Sequence, residues 1–208
     1  MSDETDQLPD SHHVIAWSTL TALPWRNGGG VTRQILSRRL GTNGGWVPAS
    51  ADDWDWRLSI ADVDSAGPFS TFTGMTRILT VIEGKSVTLT VDGTVKEVER
   101  HRPFRFDGGE NTSAELPHGP IRDLNLIARS GTVDAAVNLE TLSGDQPRQV
   151  HDGQYCILLE GSAQLSWNTA GATGVTLGHY DTVVCDAAHP PIISGDGILA
   201  VITVSDCA

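Results

Sequence analysis

The chain has 208 residues, of which 39% are hydrophobic and 19% are charged, and its formal net charge is −12 at pH 7. This length suffices for one large domain or for two small ones that share a core. The acidic balance argues against a nucleic acid or an anionic membrane as partner, because both would favour a basic surface.

The N-terminus and the cysteines predict a cytoplasmic protein. Residues 1–11 are acidic and polar, lack the features of a signal peptide and are expected to be disordered. No apolar segment is long enough to span a bilayer. The three cysteines, of which Cys207 is the last, have no short spacing, which is typical of reduced thiols. Cys156 and Cys185 lie in apolar segments and are expected in the core rather than as nucleophiles.

Short β-branched segments, separated by Gly, Asp, Asn or Pro, recur along the whole chain. They predict strands at Val31–Leu36, Trp54–Asp62, Arg77–Ile82, Ser86–Val91, Ile121–Ala128, Val133–Leu139, Gln154–Leu159, Ala163–Trp167, Thr182–Cys185 and Ile198–Val204. No long segment has a 3.6-residue period, so a helical turn near Ser18–Leu23 or Phe69–Phe72 is the most we expect. We expect a flexible loop at Gly41–Asp53. Many short strands between regular turns are typical of an all-β sandwich or barrel.

The first chemistry-bearing segment is Leu23–Arg33, which contains the glycine run Gly28–Gly30. Consecutive glycines are entropically costly and are tolerated where the backbone needs a positive φ or a close approach. The run lacks the lysine of a phosphate loop and the spacing of a dinucleotide fingerprint. Its polar and aromatic flanks predict a small-molecule site, or a tight structural corner beside one; these flanking residues are Trp25, Arg26, Asn27 and Thr32.

The predicted strand at Trp54–Asp62 has one apolar and one mixed face. Alternation places Trp56, Leu58 and Ile60 on the first face and Arg57, Ser59 and Ala61 on the second. A guanidinium inside a sheet costs free energy unless it is paired. Two interpretations stay open: Arg57 forms a salt bridge to a nearby aspartate (Asp55, Asp62 or Asp123), or it binds an anion at the mouth of a barrel.

The predicted strand at Ile121–Ala128 has the same organisation. Leu124 and Leu126 alternate with Asp123 and Asn125. A carboxylate and an amide on one face suit the wall of a polar pocket, whereas the alternative is hydrogen bonding to neighbouring loop backbone. His118 would be an acid/base partner for Asp123, but two turn-forming residues separate it from the strand.

A weak internal repeat links the two halves of the chain. Ile78–Gly84 with Val87–Gly93 corresponds to Cys156–Gly161 with Ala163–Trp167. Each copy is an apolar strand, a Glu-Gly turn and an alternating strand, and the glycine supplies the positive φ of a tight hairpin. The pattern resembles that of cupins, so two copies imply a bicupin, two jelly-roll barrels in one chain, with lobes at 12–132 and 133–208. The alternative is two unrelated hairpins.

The histidines do not have the spacing of a metal site. Adjacent His12 and His13 would point to opposite faces of a strand. The others are far apart in sequence: His101, His118, His151, His179 and His189. Zinc or iron needs several converging ligands. We therefore expect neither a functional metal nor a cofactor.

Several segments together resemble the HutD/Ves family of bacterial bicupins. They are Pro24–Arg33, Asp55–Val63 with Gly67–Ser70, Arg77–Gly84, Phe106 with Gly108–Gly109, and Gly119–Leu126. The resemblance runs in order from about Val14 to Val204 and is strongest in the first two-thirds. Thr73 departs from it, since the family usually has proline there, and so does Gly108-Gly109-Glu110, where the family has Gly-Asp. These departures lie in loops.

The resemblance implies a metal-independent protein that modulates histidine utilisation by binding a small carboxylate: urocanate, formiminoglutamate or formylglutamate. The implied ligand site is Trp25, Arg26, Asn27, Thr32, Arg57, Ser59, Arg122, Asp123 and Asn125. Arg57 would hold the carboxylate through charge-assisted hydrogen bonds. One alternative is a metal-free cupin enzyme with Asp123 and His118 in acid/base chemistry, and another is an interaction module with a vestigial pocket. A homodimer through exposed sheet edges is a further expectation.

Overall fold

The computed structural model describes residues 14–42, 44–49, 53–167, 174–185 and 188–207. The segment 1–11, for which disorder is predicted, lies outside the described residues, as do His12 and His13. In the described part of the chain, no helix has the length and apolar character that a membrane crossing requires.

Strands dominate the described residues. In chain order they are β1 (Val14–Ile15), β2 (Ala22–Pro24), β3 (Gly30–Leu40), β4 (Trp46–Pro48), β5 (Trp56–Val63), β6 (Gly67–Pro68), β7 (Met75–Glu83), β8 (Ser86–Val91), β9 (Thr94–Glu99), β10 (Phe104–Asp107), β11 (Thr112–Glu115), β12 (Ile121–Arg129), β13 (Val133–Leu142), β14 (Arg148–Gln149), β15 (Gln154–Ser166), β16 (Val175–Leu177), β17 (Thr182–Val184) and β18 (Ile192–Asp206). A 3₁₀ turn at Trp17–Thr19 overlaps the helical turn predicted near Ser18–Leu23, whereas Phe69–Phe72 is not helical. The prediction of an all-β chain is confirmed.

The chain divides into two compact units. Of the described residues, the larger unit contains 20–139 and 202–207, and the smaller unit contains 14–19 and 140–201. The division therefore falls inside β13 and again inside β18.

The larger unit contains two antiparallel sheets. One has the order β10-β7-β12-β5-β3-β2, with β4 paired to β3, and the other has the order β6-β11-β8-β9. Apolar side chains from both sheets form one core cluster, which includes Leu79 and Val81 of β7 and Val87 and Leu89 of β8. These four side chains are fully buried. The core thus lies between the two sheets.

The predicted faces of β5 are confirmed. Trp56, Leu58 and Ile60 are fully buried on one face. The Trp56 ring packs edge-on against Trp46, with the ring centroids 6.1 Å apart. Trp46 belongs to β4, which pairs with β3. The prediction of a loop at Gly41–Asp53 is therefore wrong for Trp46–Pro48, which extend the sheet, whereas the other described residues of the segment belong to no strand or helix.

The Glu-Gly pairs mark strand bends rather than hairpins. Gly84 has φ +85° and separates β7, which pairs with β10 and β12, from β8, which pairs with β9 and β11. Gly161, with φ +88°, lies inside β15, which pairs with β17 before it and with β16 after it. The expected positive φ is confirmed and the hairpin is wrong. A strand changes partners at each glycine.

The smaller unit is built around an apolar core. Its strands pair in the order β1-β17-β15-β18, with β14 on β18 and β16 on β15. Cys156, Leu165 and Val183 are fully buried in its core cluster. Burial raises the pKa of the Cys156 thiol to about 12. The prediction that Cys156 is a core residue is confirmed, and a thiol with this pKa stays protonated at neutral pH.

Candidate functional site

A cavity of about 440 Å³ opens in the larger unit. Its wall consists of β5, β7 and β12, the β2–β3 turn and the segment 68–72. Eight of the nine residues predicted for the ligand site line this cavity, namely Trp25, Arg26, Asn27, Thr32, Arg57, Ser59, Asp123 and Asn125.

Strand register brings these side chains to one face of the sheet. Ser59 of β5 lies opposite Asn125 of β12, and Ala61 lies opposite Asp123. In the next row, Ile127 of β12 lies between Arg57 and Arg77. Because alternate residues share a face, the polar positions of three adjacent strands form one surface.

The glycine run builds the corner at one end of the cavity. Gly28 has φ +71°, and its N–H donates to the Trp25 carbonyl at 3.0 Å. A Cβ on Gly30 would lie 2.2 Å from the Asp62 carbonyl oxygen, so β3 approaches β5 too closely for a side chain. The Asn27 Oδ1 accepts the Gly29 N–H at 3.1 Å. The prediction of a tight corner is therefore confirmed; the flanks of the run line a cavity, and the small-molecule site stays a prediction.

Trp25 has a fixed position in the cavity wall. Its indole Nε1–H donates to the Thr32 hydroxyl oxygen at 2.7 Å, across the β2–β3 hairpin. The Trp25 N–H also donates to the Gly30 carbonyl at 2.9 Å. These two bonds hold a large apolar ring against the cavity without exposing an unpaired donor.

The Arg57 guanidinium lines the cavity without a partner of opposite charge among the described residues. It lies 4.9 Å from the centroid of the Trp54 ring and 5.2 Å from that of Phe72. Its Nε is buried and makes no hydrogen bond to a described residue. Burial lowers the pKa of Arg57. An arginine held over aromatic faces but left without an acceptor is ready to bind an anion.

None of the three aspartates that the sequence predicts as partners of Arg57 forms a salt bridge with it. Asp55 accepts from Arg129 at 2.6 Å. Asp62 accepts from Arg33 at 2.8 Å and from Arg122 at 2.5 Å. Asp123 is the remaining candidate, and it makes no ion pair with Arg57 in the structure. The interpretation of Arg57 as a salt-bridge residue is wrong for these three aspartates.

Arg77 is a site residue that sequence reasoning missed. It is 5% exposed, and its Nη2 donates to the Asn125 Oδ1 at 3.2 Å. Its guanidinium lies 4.8 Å from the Phe69 ring centroid and 5.2 Å from that of Phe106. Burial lowers the pKa of Arg77 to about 10, with Asp123 opposing and Arg57 adding to the shift. Its sequence pattern could have identified it, because strand alternation puts Arg77 on the same face as the apolar residues Leu79 and Val81.

Asp123 is a carboxyl group inside the cavity wall. It is 1% exposed, and Asn125 Nδ2 donates to its Oδ1 at 3.4 Å. Burial raises the pKa of Asp123 to about 7, with Asp62 contributing to the rise and Arg77 and Asn125 opposing it. This carboxyl therefore changes its charge near neutral pH, which few carboxyl groups do.

Two predicted residues lie outside the cavity. Arg122 is on the opposite face of β12, where it donates to Asp62 and, at 2.9 Å, to Glu83. His118 is exposed in the turn before β12. Within the described ranges, no group of three or more His, Cys, Asp or Glu side chains is arranged to hold a metal ion.

Sequence comparison gives the family. The model of the HutD family matches residues 17–200. The chain belongs to the HutD family. A Pseudomonas putida protein, described as an uncharacterized 21.2 kDa protein in the hutC 3′ region, is 36% identical over 165 residues, which cover 76% of this chain and 78% of that protein. Protein Ves of Citrobacter koseri is 36% identical over 117 residues, which cover 55% of this chain and 56% of Ves.

Solved structures agree on the fold. HutD from Pseudomonas fluorescens SBW25, in a formate condition, is 28% identical with a TM-score of 0.71, over 94% of this chain and 98% of that one. An oxalate decarboxylase OxdC variant from Bacillus subtilis has a TM-score of 0.64 at 10% identity, over 98% of this chain and 79% of that one. The second likeness shows the fold alone, which is all-β and cupin-like.

Proposed function

We propose that this HutD family member binds a small carboxylate in the cavity of the larger unit and thereby modulates histidine utilisation. The candidate ligands are urocanate, formiminoglutamate and formylglutamate. The link to histidine degradation is supported by the relative in the hutC 3′ region and by HutD from Pseudomonas fluorescens. The choice of a carboxylate is supported by the charges of the cavity itself.

One observation carries the proposal: the Arg57 guanidinium lines the cavity and has neither an ion pair nor a side-chain hydrogen bond to a described residue. The side chain is half-buried, and its buried Nε without an acceptor costs free energy, which an entering carboxylate would offset. Its planar fork matches the two oxygens of a carboxylate. Trp54 and Phe72 fix the plane of the fork from within the protein.

The remaining wall would orient such a ligand. Ser59 and Asn125 lie opposite each other in the sheet and offer a hydroxyl and an amide. Trp25 supplies a flat apolar surface whose indole nitrogen is already occupied by Thr32. A few polar groups in an otherwise apolar and aromatic cavity are typical of a small-molecule site.

The test is thermal unfolding and calorimetric titration with urocanate, formiminoglutamate, formylglutamate and formate. A ligand at 100 times its Kd adds about 2.7 kcal/mol to the free energy of unfolding. Replacement of Arg57 by alanine should weaken binding by roughly 10- to 100-fold, since a hydrogen bond to a charged group contributes about 1.5–3 kcal/mol.

The matched control is Arg102→Ala, which removes an exposed arginine in the turn before β10. It should bind like the wild type. Arg57→Lys keeps the charge but loses the planar fork and should recover only part of the affinity. Wild-type protein that binds none of the four carboxylates, or Arg57→Ala that folds and binds normally, would contradict the proposal.

A second candidate function is acid/base catalysis on the same ligands. It is favoured by Asp123, whose pKa of about 7 is that of an efficient general acid or base at neutral pH. His118 is exposed outside the cavity and takes no part in this candidate. Turnover of a histidine-pathway intermediate that disappears in a folded Asp123→Asn variant would favour catalysis over binding alone.

We further propose that the protein is a cytoplasmic bicupin with one cupin lobe in each compact unit, and that it forms a homodimer. The bicupin is supported by the two Glu-Gly bends, one in each unit, at Gly84 and Gly161. The cytoplasm, where thiols stay reduced, suits the exposed Cys207 thiol. Gel filtration with light scattering tests the dimer.

A further inference from the structure

Asp123 has few groups that compensate a negative charge. It is the one carboxyl among the described residues that line the cavity, and it is 1% exposed. Its side-chain hydrogen bond from Asn125 is long, at 3.4 Å. Buried carboxylates are usually stabilised by several short hydrogen bonds or a close ion pair. Asp123 therefore lies close to the balance between its charged and neutral forms.

Neither arginine of the cavity makes a hydrogen bond to Asp123 that would fix its carboxyl in the charged form. Arg77, on β7, directs its Nη2 to Asn125 and its Nη1 to the Ser70 carbonyl at 3.4 Å, rather than to Asp123. Arg57, on β5, lies over aromatic rings. The carboxylate of Asp62, on β5, raises the pKa of Asp123 by charge repulsion. Asp62 itself is paired with Arg33 and Arg122. Arg77 thus favours the charged form of Asp123 from a distance, and Asp62 opposes it.

We propose that Asp123 takes up a proton when a carboxylate enters the cavity, so that ligand binding and proton binding are coupled. The inference rests on the proposed function, because it requires a carboxylate beside Arg57. Two carboxyl groups in one buried site do not both stay ionised at low cost, and one of them takes a proton. Once protonated, Asp123 has an O–H that donates to the ligand carboxylate.

Neutral pH is where this coupling has its largest effect. Burial already raises the pKa of Asp123 to about 7 in the empty cavity. An added negative charge raises it further, so the proton is taken from solvent at a pH just above neutrality. Affinity then falls as the pH rises above 7, by up to about tenfold per pH unit. The protein would bind its ligand more tightly in a more acidic cell.

The experiment is calorimetric titration of the full chain with formylglutamate and with formate, between pH 6 and pH 8.5, in buffers of different ionisation enthalpy. Both probes stay ionised over this range, so a proton taken up belongs to the protein. At pH 8 we expect an uptake approaching one proton per ligand, and at pH 6 a smaller uptake. The Kd should rise with pH above 7.

The decisive variant is Asp123→Asn, which imitates the protonated carboxyl. It should take up no proton, and its Kd should be independent of pH. At pH 8.5 it should bind about tenfold more tightly than the wild type, a gain that a merely structural role for Asp123 does not predict. Glu115→Gln makes the same change at an exposed position of β11 and should keep the wild-type proton uptake.

The outcomes separate this inference from the function on which it rests. If the wild type binds neither probe at any pH, both the function and the inference are overturned. If it binds without proton uptake, or if Asp123→Asn keeps the uptake, the inference alone is overturned. Should Asp123→Asn not fold, carboxyl carbon NMR of the wild type replaces it. A titration midpoint of Asp123 that saturating formylglutamate does not raise would then reject the coupling.

Discussion

The interior of the larger unit contains two arginines and an aspartate, whereas the core of the smaller unit is a cluster of apolar side chains. Of the fully or nearly buried polar and charged residues, Thr182 lies in the smaller unit, and the other eight described ones lie in the larger: Ser37, Ser59, Arg77, Thr80, Ser86, Thr112, Asp123 and Asn125. Both units are nevertheless built from strands that bend at a Glu-Gly pair. The same type of strand bend therefore occurs in a unit with a polar cavity and in a unit with an apolar core.

The apolar core of the smaller unit and the charged cavity of the larger unit differ in what they contribute to the protein. Apolar burial stabilises a fold without specifying a ligand, at about 25 cal/mol per Å² of surface. Buried charges cost free energy unless they are compensated. Arg57 and Asp123 retain part of this cost in the empty cavity, since their described partners are few. A ligand that offsets the cost binds with specificity, which the smaller unit's core cannot provide.

The bend of the smaller unit gives the largest expected effect. A Cβ at position 161 would lie 1.9 Å from the Asp196 carbonyl oxygen, and the residue has φ +88°. Gly161→Ala should therefore lower the free energy of unfolding by about 4 kcal/mol or more, or prevent folding. Gly28→Ala is the matched control in the larger unit, because Gly28 has φ +71° but nothing within 4 Å of a Cβ. Its loss should be about 1–2 kcal/mol.

Urea denaturation measures both glycine variants. Similar small losses at positions 161 and 28 would show that the close approach at the bend is not a constraint on the smaller unit.

Truncation of one core leucine in each unit sharpens the comparison. Leu165→Ala in the smaller unit and Leu79→Ala in the larger both remove fully buried side chains and should each cost about 3 kcal/mol. Leu79 lies opposite Asn125 in the sheet, so only Leu79→Ala should also weaken carboxylate binding. Unfolding and calorimetric titration measure the two effects. Equal loss of binding in both variants would contradict the assignment of the site to the larger unit.

Asp123 gives the larger unit a pH dependence of its own. Its pKa is about 7 in the folded protein, above the ordinary value of 3.8, so the folded state holds a proton that the unfolded state releases as the pH rises above about 4. The stability of the wild type relative to Asp123→Asn should therefore fall with rising pH up to about 7 and then level off. The fall should be roughly 2 kcal/mol between pH 5 and pH 7.

Denaturation of both proteins from pH 4.5 to pH 8.5 tests this dependence, and the comparison cancels groups that the two proteins share. Arg77, with a pKa of about 10, stays charged throughout. A stability difference that is constant with pH would mean that Asp123 ionises in the folded protein as it does in the unfolded chain.

Sequence predicted the strands and the faces of the site because strand alternation is a local property. It placed Arg57 with Ser59 on one face of a strand, and Asp123 with Asn125 on one face of another, without any knowledge of pairing. It could not assign Arg122, since the partners of that guanidinium, Asp62 and Glu83, come from two other strands. Which strands pair, and in which register, is decided by tertiary packing.

Two further features depended on distant parts of the chain. From sequence, the Glu-Gly pairs predict hairpins, because a positive φ is common to hairpins and to strand bends. Only the pairing of β7 and β8 with different strands distinguishes the two. Arg77 was missed although strand alternation places it on one face with Leu79 and Val81, because the rings that face its guanidinium, Phe69 and Phe106, come from other segments of the chain.

The smallest expected effect concerns the hydrogen bond between Trp25 and Thr32 in the larger unit. Trp25→Phe removes the donor and leaves the Thr32 hydroxyl to water, so the loss of stability should be about 1 kcal/mol. Thr32→Val removes the acceptor and buries the indole N–H less favourably. In a double-mutant cycle the two changes should couple by about 0.5–1 kcal/mol. If the two losses of unfolding free energy are additive, the hydrogen bond does not fix Trp25 in the cavity wall. Any loss of carboxylate affinity in Trp25→Phe must then come from the size of the ring alone.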